Sequence, residues 1–337
     1  MDASRQLLDR LRPLHRQIRD AVIASTERAA VDVLSHVAAD GEGDTIYAID
    51  RIAEDVLVSE IERGIAREAP VVLVAEGLPG GRLVLPRGTP EAAARRVVIV
   101  DPIDGTRGLM YQKRPGWILT GVAPVGPGGA AAATLADIEV ALQTEIPLVK
   151  QHLSDQLWAV RGQGAGALRW NRLTGESVPL HLAPSRATGI SHGFSTIARF
   201  FPGARETLAA IDDEIAAAVM GPPLPGKAQL FEDQYISTGG QLYELMVGHD
   251  RFIADLRPLF VGDGRIAPGL CCHPYDLCTE LIARECGALV TDEHGAALSA
   301  PLDVDSDVAW AGYANAAVRA VVEPALRAAL RRRGVAV

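Results

Sequence analysis

The chain has 337 residues, 48% hydrophobic and 22% charged, with a formal net charge of −9, enough apolar material for one large domain or two ordinary ones. The acidic balance argues against a nucleic-acid partner, which needs a basic stripe to meet it. The opening residues lack a secretory apolar stretch and no run approaches the roughly 18 apolar residues of a membrane span, so a cytoplasmic protein with no membrane partner is expected.

Leu7, Leu11, Leu14, Ile18 and Val22 recur at helical spacing and predict a first helix; a second is predicted over 49–67. Strands are predicted over 71–75, 82–85, 96–100, 117–124, 136–142 and 156–161, with a Gly/Ala-rich turn at 126–133. The composition shifts toward Gly, Arg and Pro across 162–184, and the chain is divided there into 1–180 and 181–337. Beyond lie strand 190–194, helices 204–219 and 237–248, strand 251–256, helix 276–286, strand 288–291 and a last helix after Ala314-Asn315. The pattern implies an α/β (α+β) fold with a large mixed sheet between helix layers, and an active site at the seam of the two halves.

Chemistry concentrates at three element ends. The apolar run Val97–Val100 stops at Asp101-Pro102-Ile103-Asp104-Gly105-Thr106. Two carboxylates that close need a cation, and hard oxygen donors suit Mg²⁺; taken alone, the segment also reads as a strand end with a turn. The run 71–75 delivers Glu76, and Pro274-Tyr275-Asp276 opens a helix, where an aspartate is ordinarily an N-cap. Three ends each presenting a carboxylate make a two-metal site the simpler explanation. Cys271, Cys272, Cys278 and Cys286 crowd around His273, but their spacing forms no C-x-x-C pair, so buried reduced thiols are expected, with Cys278 and Cys286 two turns apart on one helix. His15, His36, His192 and His249 read as structural, and Arg331-Arg332-Arg333 as a solvated helix end.

The order Glu76, then Asp101 to Thr106, then Tyr275-Asp276 ahead of a helix ending Glu285-Cys286-Gly287-Ala288 resembles the inositol monophosphatase family of the Mg²⁺-dependent, lithium-sensitive sugar phosphatases, relatives of fructose-1,6-bisphosphatase. The likeness spans nearly the whole chain and includes a Gly43-Asp44-Thr45 turn with Asp50. It implies a layered αβαβα sandwich with two sheets. It implies one metal on Glu76, Asp101 and the carbonyl of Ile103, and a second on Asp101, Asp104 and Asp276, with two or three Mg²⁺ per site and Mn²⁺ as a substitute. Thr106 and Asp50 are implied to pair and, with Glu76, to orient and deprotonate water, while the N–H groups of Gly105 and Thr106 receive phosphate oxygens. Ser237, Thr238, Gly239 and Asp255 are implied to hold the leaving group, and the assembly to be a homodimer.

The activity implied is phosphomonoester hydrolysis of a small phosphorylated metabolite, an inositol or sugar phosphate first, with 3′-phosphonucleotide and histidinol phosphate also open. A non-catalytic relative that binds a phosphometabolite or a partner protein is the alternative. Three departures stand out. Gly77 replaces a second acidic residue and weakens a third metal site, Tyr275 replaces a tryptophan, and Arg107-Gly108-Leu109 rebuilds the loop over the phosphate. The segment 256–273 is longer than the family norm, and its Arg257 and Arg265, with Lys113 and Arg114, are candidates for a second phosphate.

Overall fold

The computed structural model describes residues 3–28, 37–40, 45–264, 267 and 270–337, with the side chains of 28, 37–40, 45–52, 55, 262 and 263 outside that description. Helix α1 (Ala3–Arg28), a short ladder of β1 (Val37–Asp40) and β2 (Thr45–Tyr47), and helix α2 (Ala48–Gly64) precede the main sheet. That sheet takes β3 (Val71–Ala75), β4 (Arg82–Leu85), β5 (Arg96–Asp104), β6 (Gly116–Pro124), β7 (Val140–Ile146), β8 (Leu153–Val160), β9 (Ala165–Asn171) and β10 (Ser177–Leu180), with the one-turn helix α3 (Thr106–Met110) after β5. Its order is β10-β9-β8-β7-β6-β5-β3-β4, antiparallel throughout except where β3 runs parallel to β5.

Alternation along the central strands sorts their side chains into two cores. Val71, Leu73, Val98, Val100, Ile118 and Val122 pack with Leu11, Ile18, Leu57 and Ile61 of α1 and α2. Val72, Val74, Val97, Ile99, Trp117 and Leu119 face the other way, toward α5 (Thr238–Met246), α6 (Pro274–Leu277) and α7 (Glu280–Glu285). Burial on both faces is why these strands read as unbroken apolar runs. His15 of α1 is fully buried against the sheet between the hydroxyls of Thr144 (2.9 Å) and Thr120 (2.8 Å); burial lowers its pKa to about 3 and keeps it neutral, the structural role expected of it.

A second, four-stranded sheet of β11 (Phe194–Ile197), β12 (Asp250–Asp255), β13 (Leu289–Thr291) and β14 (Trp310–Tyr313) runs in the order β11-β12-β14-β13. One face packs on α5 through Leu245, Ile253 and Trp310; the other packs on α4 (Arg205–Met220) and α8 (Ala316–Arg331) through Leu208, Ile211, Val318 and Val322. The layers therefore run helix, sheet, helix, sheet, helix, the αβαβα arrangement expected.

Four local expectations change. Residues 165–180, inside the stretch of shifted composition, form the β9–β10 hairpin at the edge of the main sheet, its glycines serving the tight turns. The helix expected over 276–286 is two short helices broken at Cys278-Thr279, so Cys278 and Cys286 do not share a helix. The buried Thr279 hydroxyl donates to Gln143 of β7 (3.0 Å), and Gly121 leaves room for the Cys278 carbonyl, which a Cβ at 121 would meet at 2.7 Å. Strand β14 has no sequence signal because half of Trp-Ala-Gly-Tyr is Ala and Gly. Arg332 and Arg333 are not simply solvated: both donate to Glu214 and tie α8 to α4.

Candidate metal centre and its cleft

A strand carries residues three apart on opposite faces, so Asp101 and Asp104 converge only if the ladder is interrupted. It is. Asp101 stands opposite Leu119 and Asp104 opposite Trp117, so Pro102 and Ile103 together face the single residue Ile118. This bulge turns both carboxylates toward α5 and α6 while the Ile103 side chain joins the α1–α2 core. Pro102 has no N–H to offer the ladder, and the Ile103 N–H donates to Asp101 Oδ1 (2.9 Å). The Ile103 carbonyl in turn accepts from Thr106 Oγ1 (2.8 Å). Gly105, at φ +85°, makes the turn into α3, and a Cβ there would lie 3.0 Å from Ser237 Cβ.

Asp104 is held from the opposite layer. Its Oδ2 accepts from Ser237 Oγ (2.7 Å) and from the Gly239 N–H (2.6 Å), at the start of α5. Gly239 is required at that approach: a Cβ would lie 2.5 Å from Leu119 Cδ2 and 3.0 Å from Asp104 Oδ2. Asp276 reaches the same point from α6. It is the third residue of that helix rather than its cap, and its Oδ2 accepts from the N–H of the capping residue His273 (2.7 Å).

One carboxylate oxygen from each of Asp101, Asp104 and Asp276 lies within 4.8 Å of the other two. Burial, then Asp104, Asp276 and Glu76, push the Asp101 carboxyl well above its usual range. Burial and then Asp276 raise Asp104 to about 8, although the Ser237 hydroxyl and the N–H groups of Gly239 and Thr238 favour its charged form. Hard oxygen donors that are buried together and destabilise one another's charge fit a divalent cation of the Mg²⁺ or Mn²⁺ kind.

The cleft around this cluster is lined by Glu76, Ile103, Gly105, Thr106, Ser237 and Thr238, so most of the expected site residues share it. Asp50 lies in α2 with its side chain outside the described residues, and Gly43, Asp44 and Arg265 lie outside them altogether. Asp255 is not on the cleft wall. It stands behind Arg257, which takes both its oxygens through Nε (2.9 Å) and Nη2 (2.5 Å), so Arg257 lines the cleft instead. The Ser237-Gly239 turn serves Asp104 before it serves any ligand. Arg114 is ion-paired to Asp233 and lies over the Tyr235 ring, away from the cleft.

Three groups went unseen in the sequence. Glu54 of α2 lines the cleft, and its carboxylate fills the space a side chain at Gly77 would take: a Cβ there would fall on Glu54 Oε1 and Cδ. Its spacing of four from Asp50 on one helix was the available signal. His273 stacks on Tyr275 at 5.2 Å and an interplanar angle of 5°. Burial opposes protonation of His273, but its hydrogen bond to Asp276, then Asp276, Asp307 and Glu76, outweigh burial and raise its pKa. Phe200 and Phe201 form part of the outer wall. The four cysteines are free thiols, with Cys271, Cys272 and Cys278 buried.

No protein-family model matches the sequence, and a search of curated proteins finds no match. Solved structures do match. The extragenic suppressor protein suhB of Bartonella henselae superposes with a TM-score of 0.65 at 16% identity, covering 96% of this chain and 98% of its own. The fructose-1,6-bisphosphatase of Leishmania major in holo form gives a TM-score of 0.69 at 10% identity, covering 97% and 94%. The Thermotoga maritima IMPase gives 0.61 at 15% identity, covering 97% and 99%. The chain has their fold. The expected likeness to inositol monophosphatase and fructose-1,6-bisphosphatase architecture thus holds over the full length of the protein.

Proposed function

We propose that the protein is a Mg²⁺-dependent phosphomonoesterase acting on a small phosphorylated metabolite. The observation that carries this reading is the convergence in one cleft of Asp101 and Asp104, two buried carboxylates of one segment, with the half-buried carboxylate of Asp276 from the distant α6. Asp101, Asp104 and Asp276, with Glu76 and the Ile103 carbonyl beside them, would hold the ions. Bound divalent cations supply neutralisation of phosphate charge and a lowered pKa for water.

The chain's own groups do the rest. Ser237 and Gly239 fix Asp104 in one rotamer, and the His273 N–H fixes Asp276. Thr106 donates its hydroxyl proton to the Ile103 carbonyl, and its oxygen would accept from a water and orient it. The N–H groups of Gly105 and Thr106, at the turn into α3, face phosphate oxygens. His273, whose pKa the neighbouring carboxylates raise against its burial, stands beside Asp276 and Asp307.

The test is phosphate release from a panel of sugar, polyol and nucleoside monophosphates with Mg²⁺ and with EDTA. Activity restricted to the Mg²⁺ arm, and cut at least tenfold in Thr106→Ala with Mg²⁺ affinity retained, is expected. Equal rates in both arms would refute the metal-dependent reading, and silence across the panel would favour a non-catalytic binding protein.

A further inference from the structure

Beyond the carboxylates, three of the four groups expected to hold the leaving group are already committed. The Ser237 hydroxyl and Gly239 N–H serve Asp104, and Asp255 is consumed by Arg257. Among the other residues that line the cleft, Phe200, Phe201, Leu270 and Tyr275 give it an apolar and aromatic stretch, with Arg107 and Arg257 beside them. Phe200 and Phe201 meet edge to face with centroids 5.0 Å apart. The Arg257 guanidinium lies 4.4 Å from the Phe200 centroid and 5.3 Å from that of Phe201, and Arg107 lies 5.6 Å from Phe201 on its own account. The two guanidinium groups therefore flank the pair of rings. Arg257 is almost wholly buried, with its charge matched by Asp255 and its Nη1 donating to the Leu270 carbonyl (2.6 Å). It contributes a fixed planar surface rather than a free cation for a second phosphate.

Such a surface suits a delocalised ring, which gains from stacking on aromatic and guanidinium planes without needing specific acceptors. We propose that the alcohol released from the substrate carries a planar aromatic base, as in a nucleoside monophosphate, and that Phe200 and Phe201, set by Arg107 and Arg257, hold it with one ring stacked on its face and the other meeting its edge. This inference rests on the phosphomonoesterase reading for its chemistry. Water oxygen forms the new bond to phosphorus, the ester P–O bond breaks, and the leaving oxygen takes a proton, giving nucleoside and inorganic phosphate.

The experiment compares adenosine 2′-, 3′- and 5′-monophosphates with inositol 1-phosphate, glycerol 1-phosphate and fructose 1,6-bisphosphate as substrates in Mg²⁺. Calorimetry measures binding of the same compounds independently of turnover. The best adenosine ester is expected to exceed every polyol ester at least tenfold in kcat/KM. Phe200→Leu and Phe201→Leu should each lower that value by about tenfold, mainly through KM, and weaken adenosine monophosphate binding in parallel. Glycerol 1-phosphate should change less than twofold, and Phe201→Tyr should restore adenosine ester binding. Preference for a polyol phosphate or the bisphosphate, or adenosine monophosphate binding that ignores both leucine variants, overturns the inference while leaving the phosphomonoesterase reading intact. Ring-dependent nucleotide binding with no hydrolysis of any ester upholds the wall and removes the enzyme reading instead.

Discussion

Asp104→Asn isolates the cost of the carboxylate cluster from its use. In the folded chain without metal, burial and Asp276 raise the Asp104 pKa from its ordinary 3.8 to about 8. The folded state therefore holds a proton that the unfolded state has lost, and stability falls as pH rises from about 4 to about 8. At 1.36 kcal/mol per pH unit, the span sets an upper bound of about 5 kcal/mol at pH 8. Asparagine removes that cost, and its Oδ1 still accepts from Ser237 and Gly239. Relaxation around the wild-type carboxylate reduces the gain, and a net stabilisation of about 2 kcal/mol, or about 4 °C in melting temperature, is expected in EDTA at pH 8, with little difference at pH 4. Relief of Asp101, whose own pKa Asp104 helps to raise, acts in the same direction. Added Mg²⁺ should reverse the ranking, since saturation to 100 times Kd stabilises the wild type by about 2.7 kcal/mol and the variant lacks one ligand charge. Thermal melts at the two pH values, with EDTA and with Mg²⁺, read all four arms. A variant less stable than wild type in EDTA at pH 8, yet equally responsive to Mg²⁺, would refute the argument that this carboxylate is held against its own electrostatics for a cation.

Two further changes test the supports of the site. Gly239→Ala sets a methyl 2.5 Å from Leu119 Cδ2 and 3.0 Å from Asp104 Oδ2, so a loss of about 1–3 kcal/mol in urea denaturation and weaker Mg²⁺ binding by calorimetry are expected; wild-type values in both would show that the α5 turn does not set Asp104. Asp255→Ala strands the buried Arg257 guanidinium and should cost about 3–5 kcal/mol by denaturant midpoint, most of it recovered when Arg257→Leu is added; a single variant as stable as the double would contradict the pairing.

What the sequence discloses follows from how each feature is encoded. Strands 71–75 and 82–85 coincide with the predicted ranges because apolar burial is written in consecutive residues. The Asp101-to-Thr106 segment offers oxygen donors through residue type, a pattern that a strand end with a turn shares. The bulge is different: simple alternation sets Asp101 and Asp104 on opposite faces, and only the pairing of β5 with β6 shows the extra residue. The β9–β10 hairpin hides because it is an edge, half exposed and built of mixed Gly, Ala, Arg and Pro rather than an apolar run. Asp255 reads equally well as a strand-end charge or a ligand for hydroxyls, and its partner two residues on settles its occupation as an ion pair. Glu54 answers a vacancy at Gly77, a relation between a side chain and a missing one that no local pattern records.

The interruption of β5 at Pro102-Ile103 also bears on how this segment tolerates change. Substituting Ile103 with another branched apolar residue alters only volume, whereas deleting one residue there leaves the two aspartates on one face by strict alternation but removes the bulge that seats the Ile103 side chain in the α1–α2 core and its carbonyl beside Thr106. Insertions and deletions in that hexapeptide should therefore be far more damaging than most point replacements, because the extra residue is what seats Ile103 on one side of the sheet and both carboxylates on the other.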